Sequence, residues 1–124
     1  MEHPGLRGRS ILVVEDEMLI ALDIAQAFER AGASVTTTTT VRHALILVEH
    51  DGLSAAIMDH GLSDGDSTQL CARLKARGIP YVSYSGFDAV KGADKDAPYI
   101  SKPATMETIL SAVEEMLKGP ARIS

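Results

Sequence analysis

The sequence predicts an α/β fold in which five strands alternate with four or five helices around a doubly wound parallel sheet. Three observations carry that prediction. Short β-branched apolar runs recur along the chain, helical spacing of apolar residues fills the stretches between them, and glycine closes three of the helical stretches. The length of 124 residues fits one domain, and 45% apolar content is enough for a core without staples.

The elements follow in order. Ile11 to Val14 is wholly apolar and β-branched, the pattern of a strand buried on both faces. A helix is predicted from about Glu17 to Ala31, with Met18, Ala21, Leu22, Ala25 and Phe28 inward and Asp23, Gln26 and Arg30 outward, stopped by Gly32. Val35 to Thr39 is threonine-rich and half apolar, which places it at a sheet edge. Val41 to His50 forms the next helix, with Thr40 as N-cap and Ala44, Leu45 and Val48 inward. Ala55 to Met58 is the third strand, and Asp66 to Arg77 the third helix, stopped by Gly78 and Pro80. Tyr81 to Tyr84 is the fourth strand. The stretch 87–98 has little apolar content, so the fourth helix is expected to be short or missing. Tyr99 to Ser101 is a brief fifth strand, and the stripe Met106, Ile109, Leu110, Val113, Met116 and Leu117 marks a last helix from Met106 to Lys118. At this length the strand order 2-1-3-4-5, the flavodoxin-like arrangement with right-handed crossovers, is expected. Residues 1–9 and 119–124 are expected to be flexible tails around a domain spanning 10–118.

Charge and composition narrow the function. A formal net charge of −5 argues against a nucleic-acid footprint and against binding to anionic membranes. Cys71 is the single cysteine, which suits a reducing cytoplasm, and its neighbours Leu70 and Leu74 suit core packing. Met1 to Ser10 lacks the apolar stretch of a signal peptide, and no apolar run is long enough to span a membrane. The expected location is cytoplasmic.

The polar residues collect at strand ends, where such sheets bind ligands. The first strand ends in Glu15-Asp16, the third in Asp59, the fourth in Ser85-Gly86 and the fifth in Lys102-Pro103. In the expected order these four strands are consecutive neighbours, so at roughly 4.8 Å per strand the four ends fall within about 15 Å. Carboxylates gathered there repel: two charges about 4 Å apart cost roughly 4 kcal/mol at an effective dielectric near 20. A hard divalent cation with oxygen ligands offsets this, and Mg²⁺ (or Mn²⁺) fits. Metal, carboxylate, hydroxyl and lysine together suit phosphoryl transfer, with the carboxylate as nucleophile. Asp59 is the central candidate, Asp16 a direct metal ligand, Glu15 a ligand directly or through water, and the Gly61 carbonyl a further donor.

Together, Val13-Val14-Glu15-Asp16-Glu17, Met58-Asp59 with Leu62-Ser63-Asp64-Gly65, Ser85-Gly86, and Tyr99-Ile100-Ser101-Lys102-Pro103 resemble a response-regulator receiver domain over residues 10 to 118. The resemblance implies a stand-alone receiver phosphorylated on Asp59 by a sensor histidine kinase or a phosphotransfer protein, which signals by conformational change or acts as a phosphate sink. It implies metal binding by Glu15, Asp16 and Asp59, phosphoryl contacts from Ser85, Gly86 and Lys102, and a switch made of Ser85 and Tyr99. Leu19-Ile20-Ala21-Leu22-Asp23, with Gly78-Ile79-Pro80 leading to Ser85-Gly86-Phe87, further resembles the variant receivers nicknamed FATGUY, often single-domain partners of HWE-type kinases. Ser83-Tyr84 depart from that variant, and only 16 residues separate Ser85 from Lys102, fewer than in ordinary receivers.

Plainer roles exist for single residues. Asp16 also suits the N-cap of the first helix, and Asp59 also suits a turn. His3, His43, His50 and His60 lack metal-ligand spacing. Two other functions compete with the phosphoacceptor. A pseudo-receiver would bind proteins without phosphorylation, and an aspartate-nucleophile phosphohydrolase would turn over small phosphate esters. The hydrolases of that kind place Asp-x-Asp after their first strand, where this chain has Glu15-Asp16-Glu17.

Overall fold

In the computed structural model, which describes residues 3–58, 67–85, 99–101 and 105–118 (the side chains of 67, 84, 85 and 99–101 excepted), five parallel strands form one sheet. The strands are β1 (Ser10–Val14), β2 (Ser34–Thr38), β3 (Ala55–Met58), β4 (Tyr81–Ser85) and β5 (Tyr99–Ser101), in the order β2-β1-β3-β4-β5. The helices are α1 (Met18–Arg30), α2 (Val41–Leu47), α3 (Ser67–Ala76) and α4 (Met106–Lys118). The expected order is therefore the observed one. The expected short or missing helix between β4 and β5, and the tail at 119–124, lie outside the described residues.

Side-chain alternation along the strands builds two cores. Ile11 and Val13 of β1 and Ala55 and Ile57 of β3 face one side, where Ala21, Ile24 and Phe28 of α1 and Ile109, Leu110 and Val113 of α4 cover them. Leu12, Val14, Ala56 and Met58 face the other side, against Val41, Ala44 and Val48 and against Leu70, Cys71 and Leu74 of α3. Burial on both faces is why β1 and β3 read as continuous apolar runs. The edge strand β2 alternates exposed and half-buried positions up to Thr38, as its threonines predict.

Two helices end in the same way. At α1, Gly32 (φ +96°) lets its N–H reach the Glu29 carbonyl and the Ala33 N–H reach that of Phe28, each at 3.0 Å. At α3, Gly78 (φ +71°) does likewise: its N–H bonds the Lys75 carbonyl at 3.0 Å, and the Ile79 N–H bonds that of Leu74 at 2.9 Å. Each is a left-handed glycine closure with an apolar contact across it. Thr40 caps α2 by accepting the His43 N–H at 3.1 Å.

Three expectations need correction. The buried face of α1 is Ala21, Ile24, Ala25 and Phe28, whereas Met18 is 52% exposed and Leu22 46%. With Leu19, 75% exposed, they form an apolar patch on the first turns. Asp16 is not the cap of α1; Glu17 occupies that position and makes no side-chain cap bond. Residues 3–9, expected as a tail, instead fold into a 3-10 turn over Pro4–Leu6 that packs on α4 and sinks Leu6 fully into the core. One apolar side chain anchors the turn, and Pro4 at its start pre-sets the backbone.

Candidate functional site at the carboxyl ends of the strands

Strand register sets the geometry of the site. Val14 pairs with Met58, Met58 with Ser83, and Ser83 with Tyr99, so one line of residues crosses four adjacent strands. Beyond that line the chain continues into Glu15-Asp16 from β1 and into Asp59 from β3. The backbone of Ser85 closes β4 opposite Ser101, the residue before Lys102. Asp59, Gly61, Gly86 and Lys102 lie outside the described residues, as do the side chains of Ser85 and Tyr99.

The acidic pair divides into two environments. Glu15 is 1% exposed. Its N–H donates to the Thr38 carbonyl at 3.0 Å, which ties the residue after β1 to the last residue of β2. Its Oε2 accepts the Glu17 N–H at 3.1 Å, fastening the carboxylate to the N-cap residue of α1. A buried carboxylate needs such donors, because an ion taken from water without them costs several kcal/mol. Asp16 faces solvent. A fixed, buried carboxylate followed by an exposed one places hard oxygen donors at one corner of the sheet, which fits Mg²⁺ or Mn²⁺. No cluster of three or more metal-ligating side chains occurs among the described residues, which include Glu15 and Asp16 but not Asp59.

One contributor was missed in the sequence. The sequence singles out the ends of the first, third, fourth and fifth strands and not the second, yet the Thr38 carbonyl holds Glu15 and the Thr38 hydroxyl lies 3.1 Å from His43 Nδ1. The signal is the register, Val14 opposite Thr38, which the threonine run alone does not specify.

Residues 11–114 match the family model of the response regulator receiver domain. The chain belongs to that family. Receiver domains are signalling domains of two-component systems and generally not dedicated enzymes. They generally use Mg²⁺ at the phosphorylation site, and a receiver implies a histidine kinase or phosphotransfer partner. Among curated relatives, the transcriptional regulatory protein TcrA of Mycobacterium tuberculosis is 30% identical over 126 residues, covering 91% of this chain and 48% of that protein. The photosynthetic apparatus regulatory protein RegA of Rhodobacter capsulatus is 28% identical and is covered to 64%. This receiver thus spans about half the length of the curated relatives it matches. Among solved structures, SdrG from Sphingomonas melonis Fr1 superposes with a TM-score of 0.74 at 36% identity, covering 90% of this chain and 98% of that one. A receiver protein from Sinorhizobium medicae WSM419 reaches a TM-score of 0.81 at 24% identity, covering 92% and 98%, which is a likeness of fold.

Proposed function

We propose that this receiver accepts a phosphoryl group on Asp59 from a histidine kinase or phosphotransfer protein in a Mg²⁺-dependent reaction, and signals by changing shape. One observation supports this above all. The register brings the end of β1, with Glu15 and Asp16, beside the end of β3, whose next residue is Asp59.

In the proposed reaction a carboxylate oxygen of Asp59 attacks phosphorus, and the bond from phosphorus to the donor's imidazole nitrogen breaks. The products are an aspartyl phosphate and the free donor histidine. Glu15, Asp16, Asp59 and the Gly61 carbonyl would hold Mg²⁺, which offsets charge on the phosphoryl oxygens. Glu15 is set for positioning, because Thr38 and Glu17 fix it from two sides. Lys102, Ser85 and the backbone of Gly86 would meet the phosphoryl oxygens as donors, and Ser85 with Tyr99 would carry the switch. Met18, Leu19 and Leu22 give a donor protein an apolar surface on the helix that follows the acidic pair. The net charge of −5 favours a protein partner over nucleic acid, and the cytoplasm, where such donors work, is the proposed location. No helix among the described residues is long and apolar enough to cross a membrane.

The test is labelling by acetyl phosphate with Mg²⁺ present. The native chain should gain one acid-stable, base-labile phosphoryl group. Both Asp59→Asn and removal of Mg²⁺ with EDTA should abolish the gain. Undiminished labelling of Asp59→Asn would overturn the assignment.

A further inference from the structure

The N-terminal turn carries a titratable group that the phosphoryl chemistry leaves unused. His3 is only 7% exposed, and α4 faces it with two carboxylates. Nδ1 lies 2.9 Å from Glu114 Oε1. Nε2, which makes no aligned hydrogen bond, lies 2.9 Å from Glu107 Oε2. A neutral imidazole has one N–H, so it would turn a lone pair toward one of the two carboxylates, the mostly buried Glu114 or the half-exposed Glu107. Only the imidazolium suits both. The Gly5 N–H donates to the second oxygen of Glu114 at 2.8 Å, so the same carboxylate holds backbone and ring together.

The far end of this segment is fixed to the exit of α1. The Gly8 N–H donates to the Gly32 carbonyl at 2.9 Å, and the Ser34 N–H to the Arg9 carbonyl at 2.8 Å. Between the two attachments lies a cleft of about 530 Å³ bounded by α1, α4 and the turn. Its charged lining is Arg7 from the segment, Asp23 and Arg30 from α1, and Glu107 from α4. Glu114 and, acting on Glu114, Lys118 complete the charges of α4 around His3. The cleft lining itself pairs two acids with two bases, so protonation of His3 adds one positive charge beside Glu107 and Glu114.

We propose that residues 3–7 form a pH-sensitive clasp, which binds α4 to the exit of α1 when His3 is protonated and lets go of α4 when His3 is neutral. The hydrogen bond that the His3 ring donates to Glu114 draws the His3 pKa above its ordinary value, with burial opposing it and Glu107 adding to it. Release frees both carboxylates and widens the cleft, while Leu6 loses its clamp.

The experiment is an NMR titration of the His3 ring in the full chain, with amide hydrogen exchange at Gly5 and Leu6 across the same pH range. The His3 midpoint should lie above that of an unfolded peptide of residues 1–9. Each unit of that difference corresponds to about tenfold stronger clasping in acid than in alkali. Exchange at Leu6 should accelerate above the midpoint by more than the intrinsic chemical rise. Glu114→Gln should bring the midpoint down toward the peptide value, and His3→Gln should leave Leu6 exchange following the intrinsic curve at all pH. A midpoint at or below the peptide's, or unchanged pH dependence of Leu6 protection in His3→Gln, would overturn the proposal. Neither readout involves Asp59, so its failure is separable from that of the phosphoacceptor reading.

Discussion

Phe28 and Leu22 sit six residues apart on one helix and have opposite fates. Phe28 is fully buried among Leu6, Ile24 and Val113, while Leu22 is 46% exposed. Phe28→Ala is expected to cost about 3–5 kcal/mol, since it removes a large buried ring and leaves a cavity. Leu22→Ala is expected to stay within about 0.5 kcal/mol. Urea unfolding of both variants checks the pair, and equal losses would contradict this packing. The sequence placed Phe28 inward correctly but turned the helix slightly, choosing Met18 and Leu22 and passing over Ile24. The run Met18 to Ala25 is so rich in apolar residues that spacing alone leaves two adjacent arcs equally plausible. Only the facing strands choose between them. At the strand ends, Glu15 and Asp16 were legible as an acidic pair, but their split into one buried and one exposed carboxylate depends on the Thr38 carbonyl across the ladder.

Element boundaries were legible wherever a local chemical stop exists. β3, β5 and α4 match their predicted spans, and Thr40 caps α2 as its side chain suggests. α2 ends at Leu47 rather than His50, because no glycine closes it before Gly52. The two glycine closures allow a graded prediction. Gly32→Ala and Gly78→Ala both force a side chain into the left-handed region, so both should destabilise, by about 1 kcal/mol. At Gly32 the added Cβ would also stand 3.1 Å from Arg7 Cγ and 3.2 Å from Arg7 Cα, whereas at Gly78 it meets open space. Thermal unfolding should therefore show the larger loss for Gly32→Ala. On the opposite face, Arg73 pairs with Glu49, and Arg77 lies 3.4 Å from Asp51, joining α3 to the end of α2. Arg73 holds the Glu49 carboxyl below its usual range, yet these pairs are exposed and screened, so they orient the helices more than they stabilise them.

For the molecule as a whole, pH enters through the contact between chain start and last helix. The folded pKa of His3 is raised from 6.5, so its stabilisation is fully present below about pH 6.5 and is lost as pH rises through the folded value. The folded pKa of Glu114 is lowered from 4.5, chiefly by His3 and then by the Gly5 N–H, so its stabilisation is present above about pH 4.5 and is lost as pH falls through the folded value. The pair contributes most between those limits. Urea midpoints measured from pH 4 to 9 should show this maximum in the native chain and a flatter profile in His3→Gln. The overall topology was legible because alternation of strand and helix leaves few arrangements at this length. The docking of residues 3–9 was not, since glycine, proline and arginine around a single leucine give no periodic signal. Glu15 belongs to sheet and helix at once, through one backbone bond to Thr38 and one side-chain bond to Glu17. Any tug on that carboxylate is therefore a tug on the head of α1 and on the three apolar side chains it displays, so the acid corner and the greasy brow above it are mechanically a single part.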